Sequence, residues 1–596
     1  MIPSLNAREV RVKVVSLILL IGLLSAGIAS VAASFVPFDF LRAKARGMSA
    51  SGQAPFFDFD FYRGIQLRLR LIGAGNIAAA LIGFLFRRQI FKFAEAALAD
   101  SVAIGRDVVS AIRSLPVIDR LTITVLVVWA AFLRAPLLSQ PMRYDEAYTF
   151  LQYSSHPFYA ALSFYNAPNN HLLQTLLVRL SYLLFGNHPW ALRLPVFIAG
   201  VCLVPATYAA ARGLYRGGAV LAAALVASSS VLIEYSTNAR GYEILALIFI
   251  SVIPLCAYGV RHRNSAVWVL LAILTALGFY TIPIMLYPFG GLVLWLLSAA
   301  NGDAKPNERS VVVGLGVAIG LAILLTVELY SPVLAVSGPK SVVANKWVVA
   351  SPFHVFVRGL PGSLASTWKD WTRDSPEFVT MTLAAGFVVS LLWRRRCGWF
   401  RMPLPLILVL WIAPVVFVQR VVPFERVWLF ALPLYFTAAA AGFAAAVQPV
   451  AERVGLRQAL SAVAIAVSLF LGIRVRQSHS IEMLNHGRGL EALAHYLKGQ
   501  LKPGDSVVAP LPSDVPPLYY FQKEGVPSSY VNAPTAERMW IVVNEVSGDT
   551  IERVLARTKI NDQDGAPARL LGNFDSASVY EIIPRKASAA TRAEGK

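Results

Sequence analysis

The sequence is poor in charged residues and in cysteine. Charged residues make up 15% of its 596 positions and hydrophobic residues 56%, and the mean hydropathy is +0.58. This balance excludes an ordinary soluble protein, because too little polar surface is left to keep such a chain in solution. The three cysteines, Cys202, Cys256 and Cys397, lie in or beside apolar segments, so we expect no disulfide.

Acidic residues are scarce as well, with 34 Asp and Glu against 54 Lys and Arg and a net charge of +20. A nucleic-acid partner is one interpretation of such an excess. The basic residues gather in short segments between apolar runs, as the positive-inside rule expects of membrane proteins, and we therefore expect no nucleic-acid partner. One loop, with Arg42, Lys44 and Arg46, falls on the outer side. The basic clusters on the expected cytoplasmic side are residues 11–13, 87–88, 261–263 and 394–396, together with Arg212 and Arg216.

Long apolar runs take the place of the missing charge. A helix needs roughly 20 apolar residues to cross a bilayer, and the alternating pattern of a membrane barrel is absent. We predict a polytopic α-helical membrane protein with about thirteen transmembrane helices. The first run lacks a cleavage motif and is expected to remain as an anchor. The predicted helices lie near residues 14–34, 65–86, 119–138, 192–212, 217–233, 242–260, 264–281, 283–299, 310–330, 377–393, 403–418, 427–447 and 456–473.

The runs and loops divide the chain into three predicted parts. Residues 1–118 form an N-terminal extension with two transmembrane helices and a cytoplasmic amphipathic segment, and residues 119–475 form the transmembrane core. The core's first external loop, 139–191, contains HLLQTLLVRLSYLLF, whose leucines have the helical spacing of a helix in the interface plane. Residues 476–596 alternate strand-like segments such as MWIVVNEV with helical ones, which predicts a small C-terminal extracytoplasmic α/β domain.

The stretch PMRYDEAYTF follows an apolar run and carries two adjacent carboxylates, Asp145 and Glu146. A solvated interfacial charge or a helix cap is the simpler interpretation. The functional one is a base at the outer face, because carboxylates near hydrocarbon are costly and tend to have a function.

Three further segments carry candidate residues on the same predicted face. Arg240 lies in the turn EYSTNARGYEIL, and its planar fork suits phosphate, although an arginine reaching towards lipid headgroups explains it too. Arg420 and Arg426 flank a proline turn in QRVVPFERVWLF. A negative ligand would explain them there, and so would an Arg426–Glu425 pair or headgroup contacts. His171 in YNAPNNHLL is a candidate, although a lone histidine is more often structural.

These segments together fit a reaction on a lipid-linked phosphate. A carboxylate takes a proton from an acceptor hydroxyl, and cations stabilise the departing phosphate. No zinc-ligand spacing, Walker motif, GxGxxG fingerprint or GxSxG elbow is found. The sequence therefore requires no cofactor, while a divalent metal is compatible with it.

Over roughly residues 119–475 the sequence resembles the C superfamily of membrane glycosyltransferases (GT-C fold). It is most similar to family 39 and its bacterial relatives, which are protein O-mannosyltransferases, aminoarabinose transferases and rhizobial lipopolysaccharide galacturonosyltransferases. The resemblance rests on RYDEAYT, on NNHLLQTLLVRLSYLLFGNHPWALRLPVFIAG and on YSTNARGYEIL. Where relatives have an HPPL-like segment this chain reads NNHLL, and its first two helices have no clear counterpart.

The resemblance implies inverting sugar transfer from a polyprenyl-phosphate donor, with Asp145 as the base and Glu146 in support. Arg240, Arg426, Arg420 and His171 are expected to bind the donor phosphate. The acceptor is a lipid, glycan or protein of the envelope, and the site faces the periplasm or exterior of the bacterial inner membrane. The alternatives are a lipid-linked sugar flippase or transporter, a polysaccharide polymerase, and a non-catalytic scaffold.

Overall fold

The computed structural model describes residues 7–46, 57–300, 308–344, 348–451, 456–478, 489–509, 514–532, 536–545, 548–558, 567–575 and 577–583. Most of these residues are helical. The N-terminal helices are α1 (Ala7–Ala33), α2 (Phe38–Arg46), α3 (Phe59–Leu85) and α4 (Arg87–Arg113). The helices that follow are α5 (Val117–Arg134), α6 (Tyr144–Thr149), α7 (Phe158–Ala161), α8 (Leu172–Phe185), α9 (Pro189–Leu214), α10 (Ala219–Ser228), α11 (Ser230–Tyr235), α12 (Tyr242–Arg261), α13 (Ser265–Thr281), α14 (Leu286–Ala300), α15 (Glu308–Val336), α16 (Pro339–Val343), α17 (Phe353–Trp371), α18 (Glu377–Leu392), α19 (Arg394–Cys397), α20 (Leu404–Gln419), α21 (Leu432–Ala451) and α22 (Leu456–Arg476).

The predicted count of about thirteen transmembrane helices is not confirmed, although each predicted span contains a helix. Within the described residues, seven helices are long and apolar enough to cross a membrane, or eight if α4 and α5, which meet at a bend of 98°, form one span. Other apolar helices are shorter, among them α10, α13 and α20. The seven segments are Glu9–Ala33, Phe59–Leu85, Pro189–Leu214, Tyr242–Arg261, Val311–Val336, Glu425–Gln448 and Gln458–Arg476.

Small residues let the central helices pack closely. Helix α10, AVLAAALVAS, is buried along most of its length and contacts α9, α21 and α22. Helices α18 and α21 touch through glycine: a Cβ on Gly442 would lie 1.8 Å from the carbonyl oxygen of Gly386. Such contacts suit helices in lipid, where association depends on close packing and interhelical hydrogen bonds.

The N-terminal helices pack against the bundle through polar contacts. Arg68 of α3 donates to the carbonyl oxygen of Ala335 at 2.9 Å, and the Asn76 amide donates to Glu328 of α15 at 3.2 Å. Between the predicted spans 310–330 and 377–393 the sequence predicts an external loop at 331–376, and the structure places the helix α17 in this segment. That helix buries Phe356, whose ring centroid lies 5.4 Å from that of Phe417.

The C-terminal part contains a four-stranded sheet in the order β1-β2-β4-β3. Strand β1 runs parallel to β2, and β4 is antiparallel to both β2 and β3. The sequence predicts strands in DSVVAPL, MWIVVNEV and ASVYEIIP, which contain β1, β2 and β4, and it does not predict β3. The elements are α23 (Gly489–Gln500), β1 (Asp505–Val508), α24 (Val515–Glu524), β2 (Arg538–Asn544), α25 (Ile551–Thr558), β3 (Arg569–Phe574) and β4 (Ala577–Ile582).

This C-terminal part packs directly on α6. Tyr519 of α24 is fully buried, and its ring centroid lies 5.5 Å from that of Phe150. The Tyr520 hydroxyl accepts a hydrogen bond from the Met142 N–H at 3.1 Å. The two faces of β2 pack into different hydrophobic cores. Trp540 belongs to the core shared with α6, and Ile541 belongs to the core around α25.

Candidate active site

The two adjacent carboxylates lie on the short helix α6 and have opposite environments. Successive residues of a helix point about 100° apart, so one faces the interior and the other does not. The Glu146 side chain is 0% exposed and the Asp145 side chain 31%. Helix α6 therefore presents Asp145 at a surface and anchors itself through Glu146.

Arg193 of α9 is the anchor for Glu146. Its Nε donates to Glu146 Oε2 at 3.0 Å and its Nη2 to Oε1. Its remaining donors reach the carbonyl oxygens of Leu138 at 2.9 Å, Gln140 at 2.6 Å and Pro141 at 2.9 Å. One buried guanidinium thus ties together the segment that leads from α5 into α6.

Backbone groups complete the coordination of Glu146. The Arg143 N–H donates to Oε1 at 2.8 Å and the Ala239 N–H to Oε2 at 2.9 Å. Burial alone would raise the pKa of Glu146, but Arg193, Arg143 and the Ala239 N–H lower it below its ordinary value. Glu146 is therefore an ionised and fully bonded carboxylate inside the protein.

Asp145 lies between two arginines from different parts of the chain. Its Oδ2 is 3.4 Å from Arg426 Nη1 and 4.0 Å from Arg240 Nη2. Its Oδ1 accepts a hydrogen bond from the Asn169 side-chain amide at 3.2 Å. The three charged groups form one cluster that is partly open at Asp145 and Arg426.

Arg240 is the buried member of this cluster and is held in place by hydrogen bonds. Its side chain is 2% exposed. Its Nη1 donates to Thr149 Oγ1 at 2.9 Å and to the Asn169 carbonyl oxygen at 3.1 Å, and its Nη2 donates to Asn169 Oδ1 at 3.0 Å. A guanidinium with this many partners cannot swing away, so its charge is fixed beside Asp145.

His171 contacts Arg240 and the backbone of the residue that follows it. Its Nδ1 accepts a hydrogen bond from the Gly241 N–H at 2.8 Å, and its Nε2 lies 3.5 Å from Arg240 Nη2. A Cβ on Gly241 would lie 3.0 Å from His171 Nδ1, which explains the glycine in ARGY. Burial, then the charges of Arg240 and Arg426, lower the pKa of His171 well below 6.5, so its ring is neutral.

The two arginines of the proline turn have different surroundings. The Arg426 side chain is 35% exposed and lies over the Phe424 ring, 4.9 Å from its centroid. Arg420 ends α20 with a positive φ of 52° and is exposed. Its carbonyl oxygen accepts from the Ser351 N–H at 2.9 Å, and within the described residues no ion pair joins its side chain to an acidic group. Arg426 is thus in contact with Asp145, whereas Arg420 is not.

A second charged group lies along α11 and α17 and was not anticipated from the sequence. Glu234 is 3.1 Å from Arg143 Nη1 and also contacts Arg373. Arg373 lies 3.8 Å from Asp370, and burial raises the pKa of Asp370 although Arg373 opposes that shift. This group braces the N-terminus of α6 through Arg143.

The structure brings together Asp145, Arg240, Arg426 and His171, and it places Glu146 in the interior. Sequence reasoning did not single out Arg193 or Asn169. Both lie in quoted segments, ALRLP and NNHLL, and a charged residue inside an apolar run is itself a signal for Arg193. Within the described part of the chain, no three His, Cys, Asp or Glu side chains come together as metal ligands.

Comparison with known families matches residues 148–330 to the family described as dolichyl-phosphate-mannose-protein mannosyltransferase. A search of curated proteins finds no significant match.

Solved structures of similar fold include ArnT from Cupriavidus metallidurans, in the apo state and bound to undecaprenyl phosphate. Each aligns with a TM-score of 0.50 and 13% identity over 77% of this chain and 97% of ArnT. The arabinofuranosyltransferase AftD from Mycobacteria aligns with a TM-score of 0.48 and 16% identity over 78% of this chain and 39% of AftD. The predicted resemblance to membrane glycosyltransferases of the C superfamily is confirmed, since the matched family is one of glycosyltransferases and the fold is that of ArnT.

Proposed function

We propose that the protein transfers a sugar, with inversion, from a polyprenyl-phosphate donor to an envelope acceptor at the outer face of the bacterial inner membrane. The observation that carries this proposal is the cluster at Asp145, a partly exposed carboxylate 3.4 Å from Arg426 and 4.0 Å from Arg240. A base can activate a hydroxyl, and neighbouring cations can stabilise a departing phosphate.

The proposed chemistry is a single displacement. The acceptor hydroxyl gives its proton to Asp145 while its oxygen forms a bond to the anomeric carbon. The bond between that carbon and the phosphate oxygen breaks on the opposite face, so polyprenyl phosphate leaves with the bonding electrons. Arg426 and Arg240 then stabilise the charge on the phosphate, Arg240 in a position held by Thr149 and Asn169.

Glu146 and His171 have positioning roles in this proposal. Glu146 is enclosed by Arg193 and two backbone N–H groups, and it keeps α6 in place so that Asp145 faces outward. His171 is buried next to Arg240 and fixes the turn at Gly241 by accepting its N–H. Arg420 remains a proposed donor contact through its charge at the same turn.

The relatives support a lipid-linked donor. The matched family is described by dolichyl-phosphate-mannose, and the ArnT of similar fold was solved with undecaprenyl phosphate. Both are sugar-transfer systems that involve polyprenyl phosphates, so no nucleotide site is needed in this chain.

The proposed topology keeps the sequence-predicted arrangement. The shorter apolar helices also cross the membrane, 1–118 is an extension to the 119–475 core, and 476–596 is an extracytoplasmic α/β domain that contributes to acceptor binding. The basic segments at 261–263 and 394–396 follow the C-termini of α12 and α18, so they lie inside by the positive-inside rule. The Asp145 cluster, near the N-terminus of α12, then lies outside.

The test uses purified protein in lipid with a polyprenyl-phosphate sugar and crude envelope extract as the acceptor source. Free polyprenyl phosphate is measured, with nucleotide sugars as a donor control. Asp145→Asn should reduce release about 10²–10⁴-fold, because the amide cannot take the proton. The matched control is Asp119→Asn on α5, whose carboxylate accepts from the Tyr208 hydroxyl at 2.8 Å away from the cluster.

Two results would contradict the proposal. Normal turnover by a folded Asp145→Asn protein would remove the base. Movement of the lipid donor across the bilayer, with its sugar–phosphate bond never cleaved, would favour a transporter.

A further inference from the structure

Three chain segments meet at the end of the bundle away from the Asp145 cluster. They are the turn after α9 (213–218), the turn after α12 (261–264) and the segment around α19 (393–403). The Arg216 N–H donates to the Cys397 carbonyl oxygen at 2.8 Å, and the Trp399 N–H donates to that of Leu214 at 2.9 Å. The Trp399 indole N–H donates to the Tyr215 carbonyl oxygen at 2.9 Å. These backbone bonds fix the first and third segments to each other.

The distance between the two ends follows from helix geometry. Arg240 precedes α12 and Arg261 ends it, and a helix of 20 residues is about 30 Å long. That length is close to the thickness of the hydrocarbon core. The junction is therefore on the opposite side of the membrane from the candidate active site, in the proposed topology.

Two arginines at this junction are oriented by aromatic rings. The Arg216 guanidinium lies 4.1 Å from the centroid of the Trp399 ring. The Arg261 guanidinium lies 5.9 Å from the same ring and 5.1 Å from the Phe400 ring. Arg261 also donates to the Gly213 carbonyl oxygen at 3.0 Å. Cation–π contacts leave the N–H edges of a guanidinium available to an anion.

Helix α4 brings two carboxylates to this junction, since Asp100 accepts a hydrogen bond from the Ser265 N–H at 2.5 Å and Asp107 accepts one from the Tyr258 hydroxyl at 2.7 Å. The three segments contain seven arginines and no aspartate or glutamate. Within the described residues, no ion pair links any of these arginines to a carboxylate. Neighbouring aromatic side chains are also exposed, with Trp393 and Trp399 both at 47%. Tryptophan beside arginine at the end of apolar helices is typical of the membrane interface.

A small cavity opens beside the stacked arginines. Tyr215, Trp295, Phe400 and Arg394 line it. Trp295 is fully buried and donates to the Met402 carbonyl oxygen at 3.0 Å, so the cavity has a rigid floor. The cavity lies beside exposed arginines, two of which stack on aromatic rings, so this face of the protein has a defined shape as well as positive charge.

We propose that this basic aromatic surface, formed by segments 213–218, 261–264 and 393–403, binds the phosphodiester headgroup of an anionic phospholipid. The stacked guanidinium groups match the phosphate oxygens, and the exposed tryptophans lie at the depth of the glycerol backbone. Basic pockets between helix ends on the cytoplasmic side are known sites for such headgroups. The site is independent of sugar transfer at Asp145, so the two proposals can fail separately.

The experiment measures lipid binding by the full-length protein in a neutral detergent. Native mass spectrometry counts phosphatidylglycerol and phosphatidylcholine bound during a titration. Wild type should retain phosphatidylglycerol in preference to phosphatidylcholine. Arg216→Gln with Arg261→Gln should weaken phosphatidylglycerol binding about 25-fold, because each cation near the surface contributes about fivefold. Lysine at both positions keeps the charge and should still weaken binding severalfold, since the fork and the stacking are lost.

The control pair is Arg87→Gln with Arg88→Gln, two exposed arginines at the N-terminus of α4, which should change binding less than twofold. Equal binding of the two phospholipids by wild type would overturn the proposal. So would wild-type affinity in the glutamine pair, or an equal loss in the control pair. If the lysine pair binds phosphatidylglycerol with wild-type affinity, net charge alone explains the binding, and the proposal that stacked guanidinium groups bind the headgroup is overturned. The lysine pair and the wild-type comparison decide the matter if the glutamine pair fails to fold.

Discussion

At the scale of single residues, one step along α6 separates a surface carboxylate from a buried one. Asp145 contacts two arginines at the surface, and Glu146 is enclosed by Arg193 and backbone N–H groups. The sequence alone places both acids at the same outer face, with Asp145 expected as the base and Glu146 in support. The helix gives them different tasks, because it rotates the second side chain into the interior.

We predict that the Glu146–Arg193 pair stabilises the fold. Arg193→Ala leaves the Glu146 carboxylate buried without its partner, which should lower the free energy of unfolding by about 3–5 kcal/mol. Denaturant titration of the purified protein measures this. The control is Glu491→Ala, which removes an ion pair with Lys523 whose glutamate is 48% exposed and should cost about 0–1 kcal/mol. Similar losses in the two variants would contradict the prediction.

His171 should make the stability depend on pH. The fold lowers the pKa of His171 well below 6.5, so below that pH the unfolded state binds a proton that the folded state does not. Stability should therefore be unaffected above about pH 6.5 and should fall below it by up to ~1.4 kcal/mol per pH unit.

The measurement for His171 compares unfolding at pH 7.5 and pH 5.5 in wild type and in His171→Asn. Asparagine can still accept the Gly241 N–H through its oxygen but does not titrate. The variant should lose part of the pH dependence. An unchanged difference between the two pH values would show that other groups cause it.

The candidate residues were predictable to different degrees. Asp145, Arg240 and Arg426 stood out because charge is rare beside apolar runs, and the structure brings those three together. Arg193 and Asn169 could not be assigned, since their roles depend on which distant backbone and side-chain groups they meet. Spacing along the chain holds no information about such contacts.

At the scale of elements, Arg420 at the end of α20 has two possible roles. It is a proposed ligand of the donor phosphate, and it is also the residue that ends the helix. Arg420 has a φ of 52°, a left-handed conformation that costs a residue with a side chain roughly 1–2 kcal/mol. Glycine is the usual residue at this position after a helix.

Arg420→Gly separates the two explanations. The substitution should stabilise the protein by about 1 kcal/mol in thermal or denaturant unfolding, because the Ser351 N–H still finds the same carbonyl oxygen. If the side chain binds the donor phosphate, sugar transfer falls at the same time. If the variant is more stable and sugar transfer is unchanged, Arg420 does not bind the donor phosphate, and Arg426 is the arginine of this turn that does.

Helix positions followed well from hydropathy, but helix lengths and breaks did not. The predicted span 217–233 is divided into α10 and α11 at Ser229. The 98° bend between α4 and α5 and the helix α17 were also unexpected. Hydropathy records how apolar a window is, whereas breaks and amphipathic helices depend on packing partners far away in the sequence.

At the scale of the whole molecule, the C-terminal part and the helix that carries Asp145 share one hydrophobic core. Tyr519 and Tyr520 contact Phe150 and the Met142 N–H across more than half of the chain. Strand patterns predicted several of these elements, but no sequence pattern indicated that they would pack on α6.

This packing predicts that Tyr519→Ala lowers sugar transfer as well as stability. Removing the buried ring should cost about 3–5 kcal/mol and loosen α6. Ile541→Ala is the matched control, since Ile541 is equally buried on the other face of β2 and should cost about 2–5 kcal/mol. Transfer is measured at a temperature where both variants are folded. Equal activities per folded protein would show that the C-terminal part does not control α6.

The contact between Asp145 and Arg426, 3.4 Å long, has a consequence for the order of events in the proposed reaction. While this contact holds, the Arg426 guanidinium faces the carboxylate rather than a donor phosphate. A donor phosphate competes for Arg426 and so releases the carboxylate. The protein would then not activate an acceptor in the absence of donor. Binding of the donor phosphate to Arg426 would be the step that separates the Asp145–Arg426 ion pair. Small oxyanions that bind Arg426 should therefore inhibit the reaction in competition with the donor.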